Sequence, residues 1–399
     1  MTTTLTGLDV LAAGGASATR QSLSGQRIGL LTNHTGRTAQ GAPALAALRA
    51  LGLEVTALFS PEHGPAGLRE GAVESGSTQD GSPIHSLYGA TRRPTAEMLA
   101  AIDVLVCDLQ DVGARFYTYA STIAYAMEEC ALHRKSVIVL DRPNPLGGEM
   151  IEGPQMHEEC RSFVGHLRVP LRHGLTMGEL SLLHRADLNL DLDLRVVAMK
   201  NWARSMRWPQ TRLPWRRPSP NLPDYRSAAW YPGTCLLEFS GVSVGRGTQA
   251  PFQIVGAPWL DAPAVLNVLK SGPAEILEDI QVEPISFMPS HAVCADESCQ
   301  GFYFRTASGA VDEPQRPVDL GLALLGALHH AHPEEFDASK VRAALPLLGS
   351  PAVLQAVLDY DIGSALRLAR LDADAFRTRR AAVLLYEKAS TAAHLRDAM

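Results

Sequence analysis

Cysteine is scarce in this chain, six in 399 residues, too few for a disulfide framework. The nearest pair, Cys294 and Cys299, has four residues between its members rather than the two of a zinc knuckle. Positive charge is also short: 36 Lys and Arg stand against 42 Asp and Glu, a net charge of −6. That balance supplies no electrostatic footprint for nucleic acid or anionic lipid. No apolar run approaches the ~18 residues of a membrane span, and the first twenty residues lack the basic start and apolar stretch of a secretory leader. These absences predict a cytoplasmic protein with reduced thiols, and neither a nucleic acid nor a membrane as partner.

What is present is globular. Apolar residues make up 46% and charged ones 20%, with 33 Gly and 26 Pro, which excludes disorder, collagen and a coiled coil. At ~150 residues per domain the length predicts two or three domains. From residue 27, short, nearly continuous apolar runs alternate with helical patterns. RIGLLTN (27–33), VTALFS (55–60), VLVCDLQ (104–110) and SVIVLD (136–141) read as strands covered on both faces. APALAALRALG (42–52), TAEMLAAID (95–103) and 117–133 read as helices, the last with Ala120, Ile123, Ala124 and Met127 on one buried face. The alternation predicts an α/β protein with a parallel, doubly wound sheet. The Pro- and Arg-rich passage 206–223 reads as a long connection. Beyond it, CLLEF (235–239), 282–289 and 300–306 read as strands, and 317–331, 338–346 and 375–387 as helices of a second, smaller α/β domain. LNLDLDL (188–194) reads as an edge strand or turn.

Each of the four strand runs ends in reactive residues: Asn33, then Ser60 to His63, then Asp108 to Arg115, then Asp141 to Asn144. Ligands of open parallel sheets bind beyond the carboxyl ends of the strands, so these loops predict one crevice. In SPEHG (60–64) Glu62 and His63 stand side by side, and a partly desolvated glutamate suits general-acid work. DLQDVGARFYTY (108–119) adds Asp108, Asp111, Arg115 and Tyr117, and DRPNP (141–145) adds Arg142 and Asn144. In HGLTMGEL (173–180), His173 precedes Thr176 and Glu179, whose spacing also fits a helix capping box. The Trp residues at 202, 208, 215, 230 and 259 suit the core better than a sugar face.

Two other chemistries can be read from the residues. His34, His63, Glu62, Asp108 and Asp111 could together serve a metal-dependent hydrolase, although no HxH, HExxH or CxxC spacing supports it. Gly241-Val242-Ser243-Val244-Gly245 matches a nucleophile elbow in form. The helix that should follow Ser243 is blocked by Gly247 and Pro251. The same glycines do not complete a dinucleotide-binding fingerprint, and no cofactor is predicted.

SPEHG, SLYG (86–89), DLQDVGARFYTY, LDRPNP, IEGP (151–154), SFVG (162–165), HGLTMGEL, PSPNLP (218–223), YPGTC (231–235), SVGRGT (243–248) and GAPW (256–259) follow one another along the chain. Together they resemble the bacterial exo-β-N-acetylmuramidase family over residues 7–260. The resemblance implies a glycoside hydrolase that releases terminal N-acetylmuramic acid from the non-reducing end of peptidoglycan fragments, in cell-wall recycling. It also implies a Rossmann-like catalytic domain, placed here at 1–225, and an auxiliary domain at 226–399 that closes the cleft. The expected partner is a small muropeptide or disaccharide, and a non-catalytic muropeptide-binding protein is the alternative that keeps the same cleft. Glu62 corresponds to the family's glutamate in SPEHG and is expected to act as acid or acid/base. Asp108 and Asp111 lead as its partner carboxyl, with Glu152 and Glu179 behind. Muramic acid carries a lactyl carboxylate, for which Arg115, Arg142 and Arg246 are candidate clamps. Asn33, His63, Tyr117, Asn144, Glu152, His173 and Glu179 complete the expected sugar contacts. The run EFSGVS (238–243) departs from the family's EGTN-type pattern, which bears on substrate preference.

Overall fold

The computed structural model describes residues 2–307 and 314–386. The first half is built on seven strands: β1 (Ile28–Thr32), β2 (Val55–Ser60), β3 (Gly76–Ser77), β4 (Pro83–Ser86), β5 (Val104–Asp108), β6 (Ser136–Leu140) and, after the two-stranded hairpin β7 (Glu152–Gln155) and β8 (Pro170–Arg172), β9 (Leu194–Val197). Their order is β3-β4-β2-β1-β5-β6-β9. Every neighbouring pair is parallel except β3 with β4. From β1 the chain steps to β2 on one side, then crosses back to set β5 on the other. The switch between β1 and β5 is where such a sheet opens a crevice.

Alternation along the strands produces two cores. Leu31, Ala57, Phe59, Leu105, Cys107, Val137 and Val139 face one side, where Ile123, Ala124 and Met127 of the helix Tyr119–Leu132 cover them. Ile28, Leu30, Val55, Val104, Val106, Ile138 and Leu140 face the other, against Leu8, Leu11 and Leu48. Each buried aliphatic side chain contributes about 1.5–3 kcal/mol, so a strand carrying such residues on both faces is held from both sides.

The second half carries an antiparallel sheet of β10 (Ile254–Ala257), β11 (Ile280–Phe287) and β12 (Cys299–Thr306), with β12 central. The helix Ala262–Ser271 packs against β12, the helix Pro317–Ala331 packs against that helix and against Pro351–Leu358 and Ile362–Arg380, and the last of these lies along the β7–β8 hairpin. The first core runs without interruption from Leu31 to Phe376, so the halves share apolar packing. Arg115 is buried in that junction and donates to four carbonyls, those of Pro154, Val169, Leu347 and Leu348, at 2.7–2.8 Å. Among the described residues no helix is long and apolar enough to cross a membrane.

Three expectations need correction. CLLEF is not a strand: Asp224 caps a helix over Tyr225–Thr234, which a 3-10 turn extends through Cys235–Leu237. A short buried apolar run does not distinguish the two states. The LNLDLDL run, read as an edge strand or turn, holds a turn at Leu188 and Asn189 and ends on Leu194, the first residue of the edge strand β9. The helix expected over 338–346 is two pieces, Ala338–Arg342 and Leu345–Leu348, with Pro346 opening the second. The last long helix is Ile362–Arg380, set by the Asp361 cap rather than by the later apolar residues. Residue 387 of the expected helix lies outside the described residues.

Candidate active site

β2 ends at Ser60, and the chain turns at once. Gly64 N–H donates to the Pro61 carbonyl at 3.1 Å, and His63 and Gly64 both take positive φ, 69° and 73°. A left-handed non-glycine residue costs roughly 1–2 kcal/mol. Here it is held by the His63 ring, whose Nδ1 bonds the Arg69 carbonyl at 2.8 Å. The turn leaves Glu62 half-buried at its apex. Thr118, at the N-terminus of the helix Tyr119–Leu132, donates its hydroxyl to Glu62 Oε2. The Tyr88 phenol also bonds Glu62, and burial together with that carboxylate raises the phenol to about 12.

Glu62 looks into a cavity of about 260 Å³. Its polar wall comprises Glu62, His63, Glu70, Asn221, Glu238 and Arg246; Tyr88, Phe116, Tyr117, Tyr231 and Phe252 supply aromatic faces. Asn221 Nδ2 donates to Glu70 at 2.6 Å. Arg246 pairs with Glu238 and lies over the Phe252 ring, 5.6 Å from its centroid. Its Nε has no hydrogen-bond partner. The 206–223 passage is more than a connection, since it crosses the crevice. Both Tyr117 and Tyr119 donate their hydroxyls to the Pro218 carbonyl at 2.8 Å, and His34 Nε2 meets the Arg217 carbonyl at 2.8 Å. Ser219, Asn221 and Leu222 thereby line the cavity.

Of the residues expected from sequence, Glu62, His63, Tyr117 and Arg246 meet on this wall; the others are placed elsewhere. Asp108 is fully buried, with both oxygens taken by the Arg142 guanidinium. Asp111 accepts from Gly113 N–H at 2.8 Å and lies 3.6 Å from His173 Nε2. His173 Nδ1 in turn accepts from Leu175 N–H at 3.1 Å. Asn144 braces its own loop, accepting from Leu146 N–H and donating to the Leu175 carbonyl, both at 2.9 Å. Asn33 joins Tyr119 and Thr35 and faces a separate cavity on the other side of the Glu62 turn. Glu179 completes the Thr176 capping box and pairs with Arg204 at 2.6 Å. Glu152 pairs with Arg172 at 2.8 Å on the wall of a different cavity. Arg115 and Arg142 are therefore structural cations, and Arg246 alone of the three candidate clamps reaches the Glu62 cavity.

The sequence reading missed Glu70, Tyr88, Asn221, Tyr231, Glu238 and Phe252. Tyr88, Asn221 and Tyr231 lie inside SLYG, PSPNLP and YPGTC, so their motifs carried a signal; Glu70 has none. No Trp lines the cavity, and Trp202, Trp208 and Trp230 are core. Ser243 is buried, its Oγ accepts from Gly245 N–H at 3.3 Å, and it bridges to Gly256 with no helix following. That is not an elbow. The expected metal set does not assemble. Among the described residues the group with metal-ligand spacing is Glu128, His166 and His184, within 4.8 Å of one another. There Glu128 Oε1 accepts from both imidazoles at 2.6 and 2.9 Å, and Oε2 accepts from Arg93.

A turn-borne, half-buried carboxyl in an aromatic-walled hollow is an arrangement that glycoside hydrolysis can use. The description "Exo-beta-N-acetylmuramidase NamZ, N-terminal" matches residues 28–226, and its C-terminal counterpart matches 229–386. The chain belongs to this family. It is 41% identical over 322 residues to the peptidoglycan β-N-acetylmuramidase NamZ of Bacillus subtilis, covering 80% of this chain and 76% of that one. Two crystal structures of DUF1343 family proteins from Bacteroides fragilis share the fold. One has a TM-score of 0.84 at 32% identity, covering 96% of this chain and 99% of the other. The second has 0.76 at 28%, covering 97% and 100%.

Proposed function

We propose that this chain is an exo-β-N-acetylmuramidase that removes N-acetylmuramic acid from the non-reducing end of peptidoglycan fragments, with Glu62 as its proton donor. The observation that carries the reading is the meeting of Glu62 and Arg246 on one cavity wall. The cavity has room for one hexosamine, as an exo-acting enzyme requires. Arg246 is the arginine on this wall, its side chain 29% exposed beside Glu238, and supplies the positive charge for a lactyl carboxylate. Glu62 passes its proton to the glycosidic oxygen as the bond from that oxygen to the anomeric carbon breaks. Water supplies the hydroxyl that the sugar retains and gives up a proton to a base. Thr118 and Tyr88 fix the carboxyl's orientation. Glu70 and Glu238 share the cavity and replace Asp108 and Asp111 as partner carboxyls, beside the substrate's own acetamide.

The division into a catalytic part, 1–225, and a smaller part, 226–399, belongs to the same reading. The second part contributes Tyr231, Glu238, Arg246 and Phe252 to the wall. A cytoplasmic location is included as well, because all six cysteines are free thiols. The test is product analysis with the disaccharide N-acetylmuramyl-β-1,4-N-acetylglucosamine. Release of free N-acetylmuramic acid supports the reading. Binding without cleavage makes the chain a muropeptide receptor.

A further inference from the structure

Beside the Glu62 cavity lies a second hollow of about 330 Å³, and Glu238, Phe239 and Arg246 line both. Its far walls are Val242, Ser243, Val244, Ala292 and Val293. Loop 290–291 is docked onto Gly247, whose carbonyl accepts from the Ser290 N–H and hydroxyl at 3.0 Å. A Cβ at Gly247 would lie 2.7 Å from His291 N, so only glycine lets that loop close the hollow's edge. At the boundary between the two hollows stands Phe239, 55% exposed and the only exposed aromatic among the described residues. It falls within the EFSGVS passage where this chain departs from the family's pattern.

We propose that this outer hollow is the subsite for the leaving sugar, with Phe239 as its stacking face. The proposal rests on the muramidase reading above. The oxygen that Glu62 protonates lies between the released sugar and its neighbour, so the neighbour must occupy space contiguous with the inner cavity. The outer hollow shares three residues with that cavity and has the volume of a second hexosamine. An aromatic ring offers an apolar face to the C–H face of a pyranose, while Glu238 and Arg246 stand at its edge for the hydroxyls. Phe239 is thus a specificity-determining residue for the aglycone and takes no part in bond cleavage.

The experiment compares wild type, Phe239→Ala and Phe239→Tyr on the disaccharide, with free N-acetylmuramic acid as competitive inhibitor. Phe239→Ala should raise the disaccharide KM by about tenfold. The monosaccharide inhibition constant should stay within about twofold, and Phe239→Tyr should restore the KM. An unchanged disaccharide KM overturns the proposal, as does equal weakening of the monosaccharide. So does a defect seen only with substrates bearing a peptide on the lactyl group, which would make the hollow a peptide site. Wild type that cleaves no muroglycan instead overturns the muramidase reading, and the two failures are thereby distinguished.

Discussion

The guanidinium of Arg142 closes on both oxygens of Asp108, Nε to Oδ1 at 2.5 Å and Nη2 to Oδ2 at 2.9 Å, with neither side chain more than 6% exposed. Arg142 also donates to the Arg37 carbonyl at 2.8 Å. The pair ties the end of β5 to the loop after β6 and to the segment after β1, so it fixes the strand ends whose loops carry the site. Two of the most reactive-looking residues in the sequence neutralise each other.

Removing one partner of such a buried pair leaves the other charge uncompensated. Asp108→Asn should therefore cost about 3–5 kcal/mol of stability, read by chemical denaturation. Turnover per folded molecule should fall far less than with a change at Glu62.

Arg246 predicts a specificity change. Arg246→Ala should narrow the preference for a muramide over the matching glucosaminide by about tenfold, mainly through the muramide KM. Arg246→Lys should recover part of it, since the charge returns without the planar fork. The ratio of kcat/KM values for the two substrates measures both.

Glu152 predicts a pH effect on stability. Burial above all, against the pull of Arg172, raises its carboxyl to about 7. In the unfolded chain the group ionises near ~4.3. Between those values the native state holds a proton that the unfolded state has lost, so this residue weakens the fold as pH rises. Glu152→Gln removes the term. Relative to wild type the variant should gain on the order of 3 kcal/mol from pH 4 to 7 and level off about one unit higher, measured by denaturation across a pH series.

The strands β1, β2, β5 and β6 were legible because each is a short apolar run buried on both faces, a pattern that needs no partner to be read. The single crevice expected from the polar residues after all four runs did not follow: of those strand-end residues only Glu62 and His63 line the Glu62 cavity. Which strand-end residue faces the crevice was not legible. Asp108 and Glu62 look alike in sequence; Arg142 closes over the first, while Thr118 and Tyr88 hold the second at the wall. The wall itself is completed by Asn221, Glu238 and Arg246, more than 150 positions from Glu62. Their convergence depends on the path of 206–223 over Tyr117 and Tyr119, where backbone carbonyls of any sequence could serve. The capping box of Thr176 and Glu179 was legible because it is local, whereas the sugar contact also expected of Glu179 is not on the cavity wall, since Arg204 pairs with that carboxylate in the core.

Kinetics of Glu62→Gln on the disaccharide show whether Glu62 is the proton donor. The amide still accepts from Thr118 but has no acidic proton to give. Turnover should fall by ~10²–10⁴-fold, with the melting temperature and the inhibition constant of N-acetylmuramic acid near their wild-type values. A folded Glu62→Gln protein that keeps wild-type turnover would mean that another group donates the proton.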